Sequence, residues 1–396
     1  MRNPPGQTLP LRIAFVDHCP VRGGAQIALL RILSRIDRHI VDPVFFLPSQ
    51  ASIRQDLQRL GIRCVPIALP PIRKGFPGSL SALLAAAGQL RRSLRREGID
   101  GVHANTVRAQ MLSALGSPVP AFWWLHDDTF PRTLFRFLRR RSAWIAANSR
   151  FIADRYGLLR LPGTSVLPNG LEEDPAAGDR QSFRRAFGIP EDALVVAAAG
   201  RLVRMKGQDL FLEAAARVAD RMPGIYFLVI GEASAEDEGP GPHSGGTAYR
   251  RHLECLSVGI AGKGRVIFCG HLHPMADAYA GMDLLVHYPS RPEAFGLVLI
   301  EAMRAGVPVI AAQEGGPLEI VEPESSGRLV PPRDPARLAE EIRSLLNDPA
   351  RRAEFARKGP RVVRRKFRLE DQVRRLEEIY LRVFGSGRPG SAADRA

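Results

Sequence analysis

Short apolar runs, each closed by a glycine or polar residue and followed by a helical stretch, recur along the whole chain of 396 residues. In the first 170 residues they read Leu11–Asp17, Val44–Leu47, Val65–Ala68, Gly101–Ala104, Phe122–Leu125 and Trp144–Asn148. Beyond them come Leu194–Ala199, Ile225–Ile230, Val266–Cys269, Asp283–His287, Val307–Ala312 and Gly327–Val330. Apolar runs of this length, without polar alternation, describe strands covered on both faces. Helical stretches between successive strands imply parallel pairing, because a parallel neighbour is reached only by a crossover. An α/β fold follows, with two doubly wound, Rossmann-like domains. The length agrees, since it exceeds what one core usually holds.

The expected boundaries are 1–170 for the first domain and 182–368 for the second. Leu171–Gln181, acidic and then Pro/Ala/Gly-rich, is the linker, and 385–396 is a disordered tail. Leu80, Leu83, Leu84, Ala87, Leu90 and Leu94 form one apolar helical stripe, with Arg91, Arg92, Arg95 and Arg96 at its carboxyl end. A last amphipathic helix is read over Leu369–Phe384.

The charge is unevenly divided. Residues 1–170 hold 24 Lys/Arg against 9 Asp/Glu, whereas 171–396 hold 32 of each, so the whole excess of +15 lies in the first half. Such a field draws acidic partners, whether anionic lipid, acidic polymer or nucleic acid, but no nucleic-acid motif accompanies it. Phe130–Arg141 (FPRTLFRFLRRR) mixes aromatics with five arginines, as a solvated basic face, an acidic-acceptor site or a lipid-contact helix would. No run approaches the 18 apolar residues of a spanning helix. Four cysteines without framework spacing suit a reducing cytoplasm. The expected location is therefore cytoplasmic, with peripheral attachment to the inner membrane face left open.

The densest chemistry lies in Pro289–Glu319. An apolar helix, Phe295–Arg304, ends at Gly306, and a Gly315-Gly316 turn follows the next strand. Glu293 precedes that helix and Glu301 lies within it. A carboxylate in an apolar helix is costly to bury unless it accepts hydrogen bonds, and a vicinal diol offers a matching pair of donors. Helix-start amides and a glycine pair let backbone N–H groups approach an anion. Upstream, GRLVRMKG (Gly200–Gly207) sets Arg201 and Lys206 at a strand end, where two fixed cations can stabilise negative charge.

In the first half, Gly23-Gly24 opens a helix at a strand end, either a plain helix-entry turn or an anion seat. His126, Asp127 and Asp128 follow the FWWL strand, and His103 and Asn105 lie at the end of an earlier one. Cys269, His271 and His273 have no fourth ligand at matching spacing, so no metal site is expected.

The spacing E-x7-E (Glu293, Glu301) followed by G-G-x-x-E (Gly315, Gly316, Glu319) resembles the donor-site signature of the GT4-like family of retaining glycosyltransferases with the GT-B fold. Arg201 and Lys206 match that family's G-R-x-x-x-x-K-G, and the resemblance covers nearly the whole chain, most strongly Gly200–Pro332. It implies two domains facing across a cleft, the second binding a nucleotide-diphosphate sugar and the first an acceptor, with the final helix (about 369–384) crossing back to the first domain. The acceptor class is left open between carbohydrate, lipid-linked and natural-product molecules. Glu293 then meets the transferred sugar and Glu301 the nucleotide ribose. Gly200, Phe295, Gly296, Gly315, Gly316 and the Gly23-Gly24 loop serve the donor side, and His126 lies near the anomeric centre. Asn105, Asp127 and Arg132 are assigned to the acceptor side. The family needs no cofactor and usually no metal. One departure stands out: where relatives have a compact G-x-G turn, this chain has a long Gly/Pro/acid-rich loop, Ala233–Tyr249, expected to be mobile. Rival readings are a sugar-nucleotide epimerase of the same fold and a non-catalytic binder of acidic polymer.

Overall fold

The structure, a computed structural model, describes residues 9–18, 23–67, 78–173, 177–233 and 246–385. Cys19–Arg22, most of the 233–249 loop and the tail beyond 385 lie outside the described residues. The chain forms two compact units: one runs to Gly170 and resumes at Leu369, the other is Leu171–Arg368.

The first unit is built on seven parallel strands: β1 (Leu11–Val16), β2 (Val41–Leu47), β3 (Arg63–Pro66), β4 (Gly101–Ala104), β5 (Ala121–Leu125), β6 (Trp144–Ala147) and β7 (Thr164–Val166). Their spatial order is β3-β2-β1-β4-β5-β6-β7. Winding reverses between β1 and β4, and in open sheets of this kind ligands gather beyond the carboxyl ends at such a switch point. Ile13, Phe15, Phe122 and Trp124 on one face form a core with the Gly24–Arg35 helix and with Leu376, Tyr380 and Phe384 of the last helix, Leu369–Phe384. That helix belongs to the first unit.

β2 begins at Val41 rather than Val44, with Pro43 inside it. Its missing N–H is tolerated because pairing with β3 starts only at Val44. β7 was not anticipated, for three residues following Pro162 and Gly163 carry no apolar signal. The arginine-ended helix spans Gly78–Arg96 and buries Leu83, Ala87, Leu90 and Leu94. Leu84, expected on the same stripe, is 53% exposed.

The second unit has six parallel strands: β8 (Val195–Ala199), β9 (Tyr226–Ile230), β10 (Arg265–Gly270), β11 (Leu284–His287), β12 (Val309–Ala312) and β13 (Gly327–Val330). They lie in the order β10-β9-β8-β11-β12-β13, so this sheet reverses between β8 and β11. The loops carrying Gly200–Gly207 and Tyr288–Glu293 leave those two strands. Asp334 and Asp348 cap the helices that follow them, accepting from Arg337 N (3.0 Å) and Arg351 N (2.8 Å). The helix expected from Phe295 spans Leu297–Arg304, because Gly296 takes a left-handed conformation (φ +103°) and ends the preceding loop.

Candidate active site

In the second unit two loops are clamped at the switch point. After β8 the chain turns at Gly200, makes a short 3₁₀ turn over Arg204–Lys206 and enters the Gln208–Ala219 helix at Gly207. A side chain at Gly207 would collide with the Tyr288 carbonyl. Ser290 N–H donates to Met205 O at 3.1 Å, and Ser290 Oγ to Arg204 O at 2.9 Å. The close approach lets Lys206 Nζ ion-pair with Glu293 Oε2. His287, on β11, places Nε2 3.5 Å from the same oxygen. Burial alone would raise the Glu293 carboxyl, but the Lys206 ammonium above all, with His287, holds it well below the usual carboxylate range.

Arg201 is exposed on the same loop. Its backbone is braced by Gln208, whose Nε2 donates to Arg201 O at 2.9 Å and Gly200 O at 3.3 Å. Glu301 is half-buried and accepts from Tyr279 Oη at 2.8 Å, so a carboxylate in this apolar helix has its donor, as its placement required. Phe295 departs from its assignment: its ring is buried at 3% exposure against Phe367 and serves the core.

Gly315 and Gly316 also have a different first task. Cβ atoms there would overlap the backbone of Glu293 and Phe295, and Gly316 N–H donates to Glu293 O at 2.8 Å. The turn thus grips the peptide that carries Glu293, and the Gly316 amide is already used. Arg333 grips Glu314 beside it with two bonds of 2.7 and 3.1 Å.

At the first unit's switch point, Asp17, Asn105 and His126 follow β1, β4 and β5. Asp17 Oδ2 accepts from Asn105 Nδ2 (2.7 Å) and from Gln26 Nε2 (2.9 Å), and Asn105 Oδ1 meets His126 Nε2 at 3.0 Å. Burial lowers the His126 pKa to about 3. His18, whose Nδ1 is 2.8 Å from Thr106 Oγ1, is lowered to about 4 by burial and by Arg108. Gly23 N–H goes to Gln26 Oε1 at 3.1 Å, which withdraws it from the expected anion seat. Gly24 faces open space. Asp127 closes a turn by accepting from Thr129 N (3.2 Å) and Oγ1 (2.9 Å). Arg132 is exposed and donates to Arg155 O at 3.0 Å. His103 is fully buried among Phe15, Phe122 and Trp124 and hydrogen-bonded to Tyr380, a core histidine.

Two family models together take in most of the chain: "glycosyl transferases group 1" matches residues 179–362 and "glycosyltransferase family 4" matches 22–174. The chain belongs to the GT4-like family of GT-B glycosyltransferases. Its curated relatives include D-inositol 3-phosphate glycosyltransferases. That of Geodermatophilus obscurus is 38% identical over 51% of this chain and 44% of its own length. That of Xylanimonas cellulosilytica is 28% identical over 90% of this chain and 91% of its own. The alignments with the first relatives, including the Catenulispora acidiphila enzymes, span only about half of those relatives' length (44%, 50% and 41%). Among solved structures, HepE of Anabaena in complex with UDP and glucose superposes with a TM-score of 0.79 at 25% identity, covering 93% of this chain and 98% of that one. The sucrose-phosphate synthase of Thermosynechococcus elongatus superposes with a TM-score of 0.79 at 20% identity, covering 95% and 100%, a likeness of fold.

Sequence spacing singled out Lys206 and Glu293, which the structure pairs, together with Arg201 and Glu301. It missed Asp17, Gln26, Gln208, Tyr279 and His287. For Asp17 and His287 a signal was present: each is a polar residue at the end of a strand next to a switch point.

Proposed function

We propose that this chain is a retaining glycosyltransferase that moves a sugar from a nucleotide-diphosphate donor to an acceptor hydroxyl, the second unit holding the donor and the first the acceptor. One observation carries the reading: Lys206 and Glu293 are ion-paired at a sheet switch point, and Arg201 is exposed on the loop that carries Lys206. Arg201 and Lys206 take the diphosphate and stabilise the charge that grows on it as the glycosidic bond breaks. Glu293 accepts from the sugar hydroxyls and Glu301 from the ribose. A donor phosphate oxygen takes the acceptor proton on the face the leaving group vacates, which gives retention without a protein nucleophile. No metal or cofactor is needed, because cationic side chains do the anion work. HepE's UDP and glucose support a UDP-sugar as the first donor to try.

The acceptor is the less defined partner. A basic first half favours an acidic acceptor or an anionic bilayer. The bilayer reading gains from the Arg132–Arg139 helix, where Phe137 is 48% exposed among exposed Arg132, Arg136 and Arg139.

The test is release of free UDP from UDP-glucose that depends on added acceptor, with the product's anomeric coupling read by NMR. Acceptor-dependent release with an α-linked product supports the reading. Donor turnover without acceptor points to the epimerase, and a β-linked product overturns retention.

A further inference from the structure

The buried polar chain of the first unit has only one consistent arrangement of hydrogens. Asp17 is 1% exposed and Asn105 fully buried. Asp17 Oδ2 receives two amide donors, from Asn105 and Gln26, so that oxygen carries no proton. A carboxylate oxygen only accepts, and the Asn105 NH2 must therefore face it. The second amide hydrogen lies toward Ala25 O at 3.5 Å. Asn105 Oδ1 is thereby turned to His126, and an amide oxygen also only accepts, so His126 Nε2 bears the hydrogen of that 3.0 Å bond. A neutral imidazole with hydrogen on Nε2 has its lone pair on Nδ1.

We propose that Asp17, acting through Asn105, is a positioning residue that holds His126 in the Nε2–H tautomer and leaves Nδ1 to accept a hydrogen bond from a substrate hydroxyl. The hydroxyl belongs to the glycosyl-transfer reading, but the tautomer does not depend on it. Burial keeps the ring neutral, so it serves as an acceptor and not as an acid. The same carboxylate orients Gln26, whose Oε1 holds the Gly23 amide, so one buried group sets both the histidine and the glycine loop.

The full chain, labelled with ¹⁵N-histidine, gives the decisive spectrum at pH 7, with the His126→Gln variant identifying the signal. The expected result is an Nε2-protonated, neutral His126; an Nδ1–H tautomer or an imidazolium overturns the proposal. In Asp17→Asn the amide at 105 is free to reverse. His126 should then show mixed tautomers, with kcat down about tenfold to a hundredfold and donor KM changed by less than about threefold. An unchanged tautomer in that variant removes Asp17 from the role. The exchange Asp17→Asn/Asn105→Asp keeps the 17–105 pair but turns a carboxylate to the ring. That carboxylate also only accepts, so under the proposal the ring keeps its hydrogen on Nε2 and kcat recovers toward the wild-type value. An Nδ1–H or mixed tautomer in the exchange variant overturns it. The wild-type spectrum decides even if Asp17→Asn fails to fold, and it stands apart from whether any acceptor is glycosylated.

Discussion

Glu293 and Lys206 are ion-paired between the loop after β11 and the turn after β8, which are also joined through the amide and the hydroxyl of Ser290. A carboxyl whose folded pKa is depressed contributes stability that is complete above its unfolded value, near 4.5, and is lost as pH falls through the folded value. Glu293→Gln should therefore lower Tm at pH 7 and flatten its fall below about pH 4.5. Thermal melts of both proteins across that range check it; parallel acid limbs would deny the pair its electrostatic role.

Gly315 is held at φ +71° against the Glu293 backbone. Gly315→Ala should cost about 1–3 kcal/mol, from strain at a left-handed position and from overlap with that peptide. Denaturant unfolding measures it, and Gly24→Ala, where the added methyl meets open space, is the control.

Glu301 accepts from Tyr279, and in the proposed reading it also receives the ribose. Glu301→Ala should weaken UDP binding by tenfold or more, whereas Tyr279→Phe, losing one neutral bond worth about 1 kcal/mol, should weaken it roughly fivefold. Calorimetric titration of UDP orders the two variants. A larger loss for Tyr279→Phe would invert the roles given to them.

The first unit's arginines predict binding of the full chain to anionic vesicles at low salt and release as salt rises. Arg136→Gln with Arg140→Gln should cost about 2 kcal/mol of that association, roughly thirtyfold. Flotation with phosphatidylglycerol vesicles measures it, and absence of association by the unaltered chain would remove the bilayer as partner.

The strands were legible because each is a continuous apolar run, and the last helix because its apolar stripe is unbroken. β7 was not, since nothing in Thr164–Val166 separates it from a loop. Leu84 was misplaced because periodicity says which residues share a face, not where the covered stripe ends. The Lys206–Glu293 pair drew notice through local spacing in each of its two loops. The braces of the other candidates were not legible: Gln208 on the Arg201 carbonyl, Tyr279 on Glu301 and Asp17 on Asn105 are contacts made by topology, over separations of 7, 22 and 88 residues. The glycine pair was seen, but its grip on the Glu293 backbone appears only when both loops are in place.

The central claim is that Arg201 and Lys206 stabilise a leaving diphosphate. Steady-state turnover of UDP-glucose in the presence of acceptor, compared between the native chain and Arg201→Ala or Lys206→Ala, tests it most directly. The account predicts a fall in kcat on the order of a hundredfold or more in each variant. Near-native kcat in either one would contradict it.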